Sequence, residues 1–316
     1  FNGKGLVFED FPFDRLYTIP EYCDWVVVYE MLPTDNSTTA AMKQVRFKNW
    51  TEENSVAITD VSAANLEYAL SEDGTLTVSG FGNMPEFLSV ESIPWYSERE
   101  KIKKVVITGV TSVSNNAFSD CVNLEEVVFP EQFEKIGDSA FSGCIKLPGI
   151  NLNQAKALKS IGKNAFFNCI SLGKVTFPES IVSVGENAFS VDTDKYKEIR
   201  ERTDVYYDGP IEKWLKISFG NSKSTQISDA ASNPMYLSGG DLYVNGSKFT
   251  ELNMQESSTT VIGRNVFAGC LSLTKVNLTG VTDIGANAFA KSNVGGDIVI
   301  PATVKRFGTY ALYKCS

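Results

Sequence analysis

One dipeptide recurs along this 316-residue chain at a spacing that few folds can accommodate. Ala-Phe or a close variant stands at Ala117-Phe118, Ala140-Phe141, Ala165-Phe166, Ala188-Phe189, Val266-Phe267, Ala288-Phe289 and Ala311-Leu312. Neighbouring pairs are 23, 25, 23, 78, 22 and 23 residues apart. Most pairs follow an apolar residue and Gly, as in Ile136-Gly137, Ile161-Gly162, Val184-Gly185, Ile262-Gly263 and Ile284-Gly285. Periods of this length mean stacked units, each too small to bury its own apolar face.

Every unit opens on apolar-x-x-apolar-x-apolar, for example Leu124, Val127, Phe129 and then Pro130. Residues two apart share one face of a strand, and Pro ends the ladder because it has no N–H to donate. Gly after the aliphatic residue is expected to permit a tight turn. Ala-Phe, too short for a long helix, is expected to form one helical or 3-10 turn. Stacking then lines Val on Val and Phe on Phe, each buried Phe contributing about 1.5–3 kcal/mol. Seven units are counted, beginning near Ile102, Leu124, Leu147, Leu172, Phe249, Leu273 and Val294.

The length exceeds what one core usually fills, so an elongated array suits it. Hydrophobic residues make up 43% and charged residues 21%, the balance of a soluble folded chain. A net charge of −9 and the absence of a Lys/Arg cluster argue against nucleic acid as a partner. No apolar run nears the roughly 20 residues that span a bilayer. There is no His, which removes Ser-His and Cys-His catalysis and His-ligated metals. Nothing calls for a cofactor. The chain starts at Phe1 without Met, read as a processed product whose leader has been removed, and it stops directly after a repeat, so a continuation is expected.

The repeats resemble the BspA-like leucine-rich repeats of surface proteins in anaerobic gut and oral bacteria. The resemblance rests on Ile136-Gly-Asp-Ser-Ala-Phe-Ser-Gly-Cys144, on the preceding Leu70–Pro85 stretch with Pro94-Trp-Tyr96, and on the interruption Val205–Phe219 with Asn233-Pro-Met235 and Leu242–Gly246. It covers roughly residues 66–316. It implies a leucine-rich-repeat solenoid with short helical or 3-10 turns and an N-terminal β-rich cap. It also implies adhesion or host-protein binding at the cell surface, and no catalytic residues. The family pattern lapses at Asp192 and Ser292, which stand where Cys is expected.

The expected organisation has five parts: a β-rich segment of unknown role at 1–64, a capping hairpin at 65–101, repeats 1–4 at 102–203, a variant repeat or insertion at 204–248, and repeats 5–7 at 249–316. Strands are expected at Cys23–Tyr29 and Gln44–Lys48, and a hairpin around Asp73-Gly74. Residues 192–203 are charged and are read as an excursion; 221–233 are read as a loop.

Cys121, Cys144, Cys169, Cys270 and Cys315 fall in one repeat column and are read as stacked, buried, free thiols. The strand positions facing away from the core form a lateral sheet, one column reading Lys104, Glu126, Gly149, Lys174, Glu251, Lys275 and Asp297. Its neighbour reads Val106, Val128, Asn151, Thr176, Asn253, Asn277 and Val299. Without aromatics, this sheet is not expected to hold sugar. Tyr206, Tyr207 and Trp214 of the interruption form a second candidate patch. The partner indicated is a protein, from host matrix or a cell surface. The alternatives are a glycan or a spacer role.

Overall fold

The computed structural model describes residues 66–315 except 88, 197–201, 222, 224 and 225, together with the backbone of three strands nearer the N-terminus. Cys23 lies outside the described residues, as does part of the charged excursion. The three strands are Gly5–Phe8, Trp25–Met31 and Ala40–Val45. The middle one pairs parallel with the first and antiparallel with the third.

From residue 66 the chain is a stack of about nine coils, each one turn of a solenoid. A coil contributes two short strands, such as Glu126–Val128 and Lys135–Ile136, then a run of tight turns that leads to the next coil. Strands of successive coils pair parallel and in register. Ile136 faces Ile161, which faces Val184. The stack begins with a hairpin, Leu66–Leu70 against Thr75–Asn83. Thr75–Asn83 and Lys104–Val113 are long enough to cover both strand positions of their coils.

The Ala-Phe segments form a third line of bonding. The N–H of Phe118 donates to the carbonyl of Ala140, Phe141 to Ala165, Phe166 to Ala188, Phe267 to Ala288 and Phe289 to Ala311, each at 2.8 Å. Short helical turns exist elsewhere, at Tyr96–Lys101, Ile211–Trp214 and Ile227–Ser232. Ala-Phe itself is built differently from the expected helical turn. The residue before Ala takes a left-handed conformation, as at Asn116, Asn164 and Asn187 with φ of 57°, 54° and 54°. Asn tolerates this better than most side chains. The reversal turns the backbone N–H of Phe towards the next coil rather than back along its own helix.

Inside, the rings stack. Phe118, Phe141, Phe166 and Phe189 lie 5.2–5.4 Å apart with planes within 15° of parallel. Trp95 lies on Phe118 at 5.3 Å and donates its indole N–H to Ala117 O. The second stack, Phe249, Phe267 and Phe289, is accompanied in the same way. Trp214 donates its indole N–H to Val266 O, the equivalent position of that coil. Each Phe stack thus has one buried Trp whose only polar atom is satisfied by the repeat backbone.

The glycine after the aliphatic residue has a different reason from the one expected. Gly162 is not in a left-handed conformation. A Cβ there would lie 2.5 Å from the Gly137 carbonyl carbon, and one at Gly185 would lie 2.5 Å from that of Gly162. Successive coils approach backbone to backbone at this corner, and no side chain fits between them.

Residues 204–248 are part of the stack. Asp204–Asp208 continues the lateral sheet in register with Lys174–Pro178, and Ser218–Phe219 continues the inner one beside Ser183–Val184. Leu242–Val244 forms the next lateral rung and folds back on Ser247–Lys248. The expected loop at 221–233 is partly core. Asp229 is buried and accepts from Arg264 Nη1 at 2.9 Å, from Asn221 N and from Asn265 Nδ2. Residues 297–300 carry no strand, so the last coil keeps only Arg306–Phe307.

Phe166 has a ring on each face, so truncating it removes two contacts and leaves a cavity. Phe166→Ala is expected to lower the unfolding free energy by about 3–5 kcal/mol, read from the denaturant midpoint at unchanged slope. A loss below about 1 kcal/mol would mean that the column does not bear on stability.

Candidate recognition face

The outward side chains of the lateral strands make the one extended, regular surface of the described residues. Two in-register columns run across it. The first reads Thr75, Lys104, Glu126, then Gly149, Lys174, Asp204. The second reads Thr77, Val106, Val128, then Asn151, Thr176, Tyr206, Tyr243. Past the variant coil, Glu251 stands opposite Lys275 and Asn253 opposite Asn277.

Lys104 Nζ and Glu126 Oε2 pair at 2.8 Å, both well exposed. Such a pair contributes little stability, about 0–1 kcal/mol. Lys174 makes no ion pair among the described residues. Its register partners are Gly149 on one side and Asp204 on the other, and Asp204 is held by Arg202 at 2.8 Å. The Lys174 ammonium lies over the Tyr206 ring instead, 4.6 Å from its centroid. Asp297 is exposed on the last coil, outside any strand pairing.

The three aromatic candidates of the interruption part company. Trp214 and Tyr207 are fully buried, so neither presents a ring to solvent. Tyr207 alternates inward with Val205 along Asp204–Asp208, as the period of two requires, and Trp214 is carried into the core by the helical turn Ile211–Trp214. The Tyr207 hydroxyl has no partner, and burial pushes its pKa up to about 12. Tyr206 points the other way, onto the lateral face. It stacks on Tyr243 with centroids 4.5 Å apart and planes at 6°. Burial first, then Tyr243, Asp204 and Asp241, raise the Tyr206 phenol above its usual pKa. The expectation of a sheet without aromatics is therefore overturned. Reading the columns from Lys174 directly to Glu251 omitted the two rungs that carry them.

A groove of about 500 Å³ opens on this face. Its floor is made of small residues, Gly149, Asn151 and Thr176. Glu126 borders it on one side, and Tyr206 and Asp208 on the other. The floor is prearranged: Thr176 Oγ1 donates to Asn151 Oδ1 at 2.8 Å and accepts from Leu152 N at 2.9 Å. Asn153 Nδ2 donates to Asp208, while Asn153 Oδ1 has no partner. Sequence reasoning missed Asn153, Gln154 and Asp208. The available signal was the alternation in Val205-Tyr206-Tyr207, which marks a strand and extends the columns.

The cysteine column offers no reactive group. Cys121, Cys144, Cys169 and Cys270 are buried in the core; Cys315 is partly exposed. Cys144 Sγ donates to Phe118 O at 3.3 Å and Cys169 Sγ to Phe141 O at 3.2 Å, each reaching back one coil. Burial pushes the Cys121 thiol up to about 12 and the Cys144 thiol well above its ordinary value. Among the described residues, no group of three or more His, Cys, Asp or Glu could hold a metal ion. No helix among them is long and apolar enough to cross a membrane.

Comparison with known families gives a match to the BspA type leucine rich repeat region over residues 94–207 and 216–316, in six copies. No curated protein matches the chain. Among solved structures, a leucine-rich repeat protein of Eubacterium ventriosum shares 21% identity, with 80% of this chain and 68% of that one covered and a TM-score of 0.47. A leucine rich cell surface protein of Faecalibacterium prausnitzii shares 18%, with 80% and 79% covered and a TM-score of 0.32. A leucine-rich repeat protein of Bacteroides ovatus shares 16%, with 80% and 91% covered and a TM-score of 0.34.

A thiol buried in the core is out of reach of a reagent until the protein unfolds. At pH 8 an aromatic disulfide reagent is expected to leave Cys121, Cys144, Cys169 and Cys270 unmodified in the native protein and to label all of them after denaturation, as peptide mapping would read. Rapid native labelling of any of the four would contradict the burial described.

Proposed function

This chain belongs to the family of BspA-type leucine-rich repeats, and on that premise we propose that it is a non-enzymatic binding protein that works outside the cell and holds a protein ligand on its lateral sheet. The observation that carries this is the extended outward face itself. Rungs about 4.8 Å apart, repeated over most of the coils, give a surface tens of ångströms long. That is the scale of a protein footprint, about 800 Å² on each partner. Repeat proteins use such extended faces because the stacking fixes them without help from the ligand.

The side chains on it suit recognition. Lys104, Glu126, Lys174, Glu251, Lys275 and Asp297 place both signs of charge on the outward side of the coils, with Tyr206 in the neighbouring column. Alternating charge sets register and suppresses wrong partners more than it adds affinity. Tyr supplies contact area at low entropic cost. Against catalysis stand the lack of His and the burial of the four inner thiols. Extracellular display and adhesion are what membership in this family implies. A protein of the host matrix or of another cell surface fits a face of this size.

Surface plasmon resonance of the whole chain against matrix proteins tests the proposal. Glu126→Ala with Lys174→Ala is expected to weaken a bound partner about tenfold, some 1.4 kcal/mol, without moving the melting temperature. An unchanged affinity would remove the lateral face from consideration. Absence of any protein partner would favour a spacer role instead.

A further inference from the structure

The groove on the lateral face lies at a gap in the charged column, and it exists for a local reason. The column that runs Lys104, Glu126 loses its side chain at Gly149 and resumes at Lys174. Gly149 does not need glycine for its backbone conformation. A Cβ there would sit 3.1 Å from Lys174 O and 3.3 Å from Lys174 Cβ, a tight fit that a small shift relieves. The missing side chain, with the short Asn151 and Thr176 beside it, hollows the sheet between the rungs of Glu126 and Tyr206. Those rungs are three strand spacings apart, about 14 Å.

We propose that this groove is a carbohydrate-binding site for a short neutral oligosaccharide. The volume lies in the range of sites that enclose a small ligand, about 300–1,000 Å³. Its lining is rich in planar polar groups, Asn151, Asn153, Gln154 and Asp208, which donate and accept in the fork geometry that neighbouring sugar hydroxyls need. The Asn153 Oδ1 atom is buried and unpartnered, an acceptor that a hydroxyl donor would satisfy. The Tyr206 ring forms a wall above the shorter Thr176. One face is fixed on Tyr243, and the Lys174 ammonium lies over the ring 4.6 Å from its centroid, with no ion pair among the described residues to hold it there. Displacing that ammonium uncovers an aromatic face toward the groove.

The charge balance selects for neutral ligands. Glu125, Glu126 and Asp208 line the groove against Lys174, and Glu126 is neutralised by Lys104. A uronate or sulfate would meet more negative than positive charge.

A printed array of neutral oligosaccharides, probed with the whole chain, followed by calorimetry with the free sugar of the strongest hit, tests this. Saturable binding is expected at micromolar to millimolar Kd, weakened about tenfold by Gly149→Gln, which refills the floor, and by Tyr206→Ala, which removes the wall. Gln154→Ala is exposed and outside the packing, so it keeps the test valid if either of the others alters the melt; it is expected to weaken binding several-fold. A chain that binds no neutral glycan at millimolar concentration overturns the proposal. So does one whose hits are indifferent to all three changes. Neither result bears on protein binding, which is read with protein partners and the Glu126 and Lys174 variants.

Discussion

Ring-on-ring packing of one Phe per coil holds successive coils at a single distance, and the rest of the molecule depends on that distance. The rings stack 5.2–5.5 Å apart where Ala-Phe repeats regularly. Paired strands want about 4.8 Å, so the core and the two strand lines are commensurate. Where the coils come closest, at the Gly137, Gly162, Gly185 corner, the chain has no side chain at all. Where an indole would otherwise bury an unsatisfied N–H, as at Trp95 and Trp214, the repeat backbone supplies the carbonyl. Cys serves the neighbouring column because it is small and its weak donor reaches the carbonyl one coil back.

That regularity gives the lateral face its character. In-register stacking makes every outward residue a member of a column, so a single substitution in the repeat has a predictable place on the surface. Gly149 is the clearest case. One missing side chain breaks a column of charges and opens a groove, and the same gap leaves Lys174 to rest on Tyr206. The aromatic pair beside it comes from the variant coil. The irregular part of the sequence thus supplies what the regular part lacks, and it does so while carrying the ladder on from Lys174–Pro178 through Asp204–Asp208 to Leu242–Val244.

Much of the solenoid was legible because each unit states its pattern several times. The apolar spacing, the Ala-Phe column and the Cys column all appear as read. Three things were not. The Ala-Phe turn was expected to be helical, although the Asn that recurs before Ala signals a left-handed residue and hence a reversal. The glycine was assigned to a turn, when its cause is contact between coils that no single repeat reveals. Trp214 and Tyr207 were grouped with Tyr206 by proximity in sequence, whereas the period of two turns Tyr207 inward and a helical turn buries Trp214. The groove was illegible for the same reason: Asn153, Asp208 and Tyr206 meet only once residues 204–208 are placed in register.

Continuity of the stack through the variant segment is therefore the claim on which the face and the groove both rest. Amide hydrogen exchange at 204–208 and 242–244 measures it directly. If these segments are rungs, with Asp204 N bonded to Gly173 O and Val205 N to Asp241 O, their amides exchange as slowly as those of 174–177. Exchange at the rate of an exposed loop would contradict the continuous stack and remove Tyr206 and Tyr243 from the sheet.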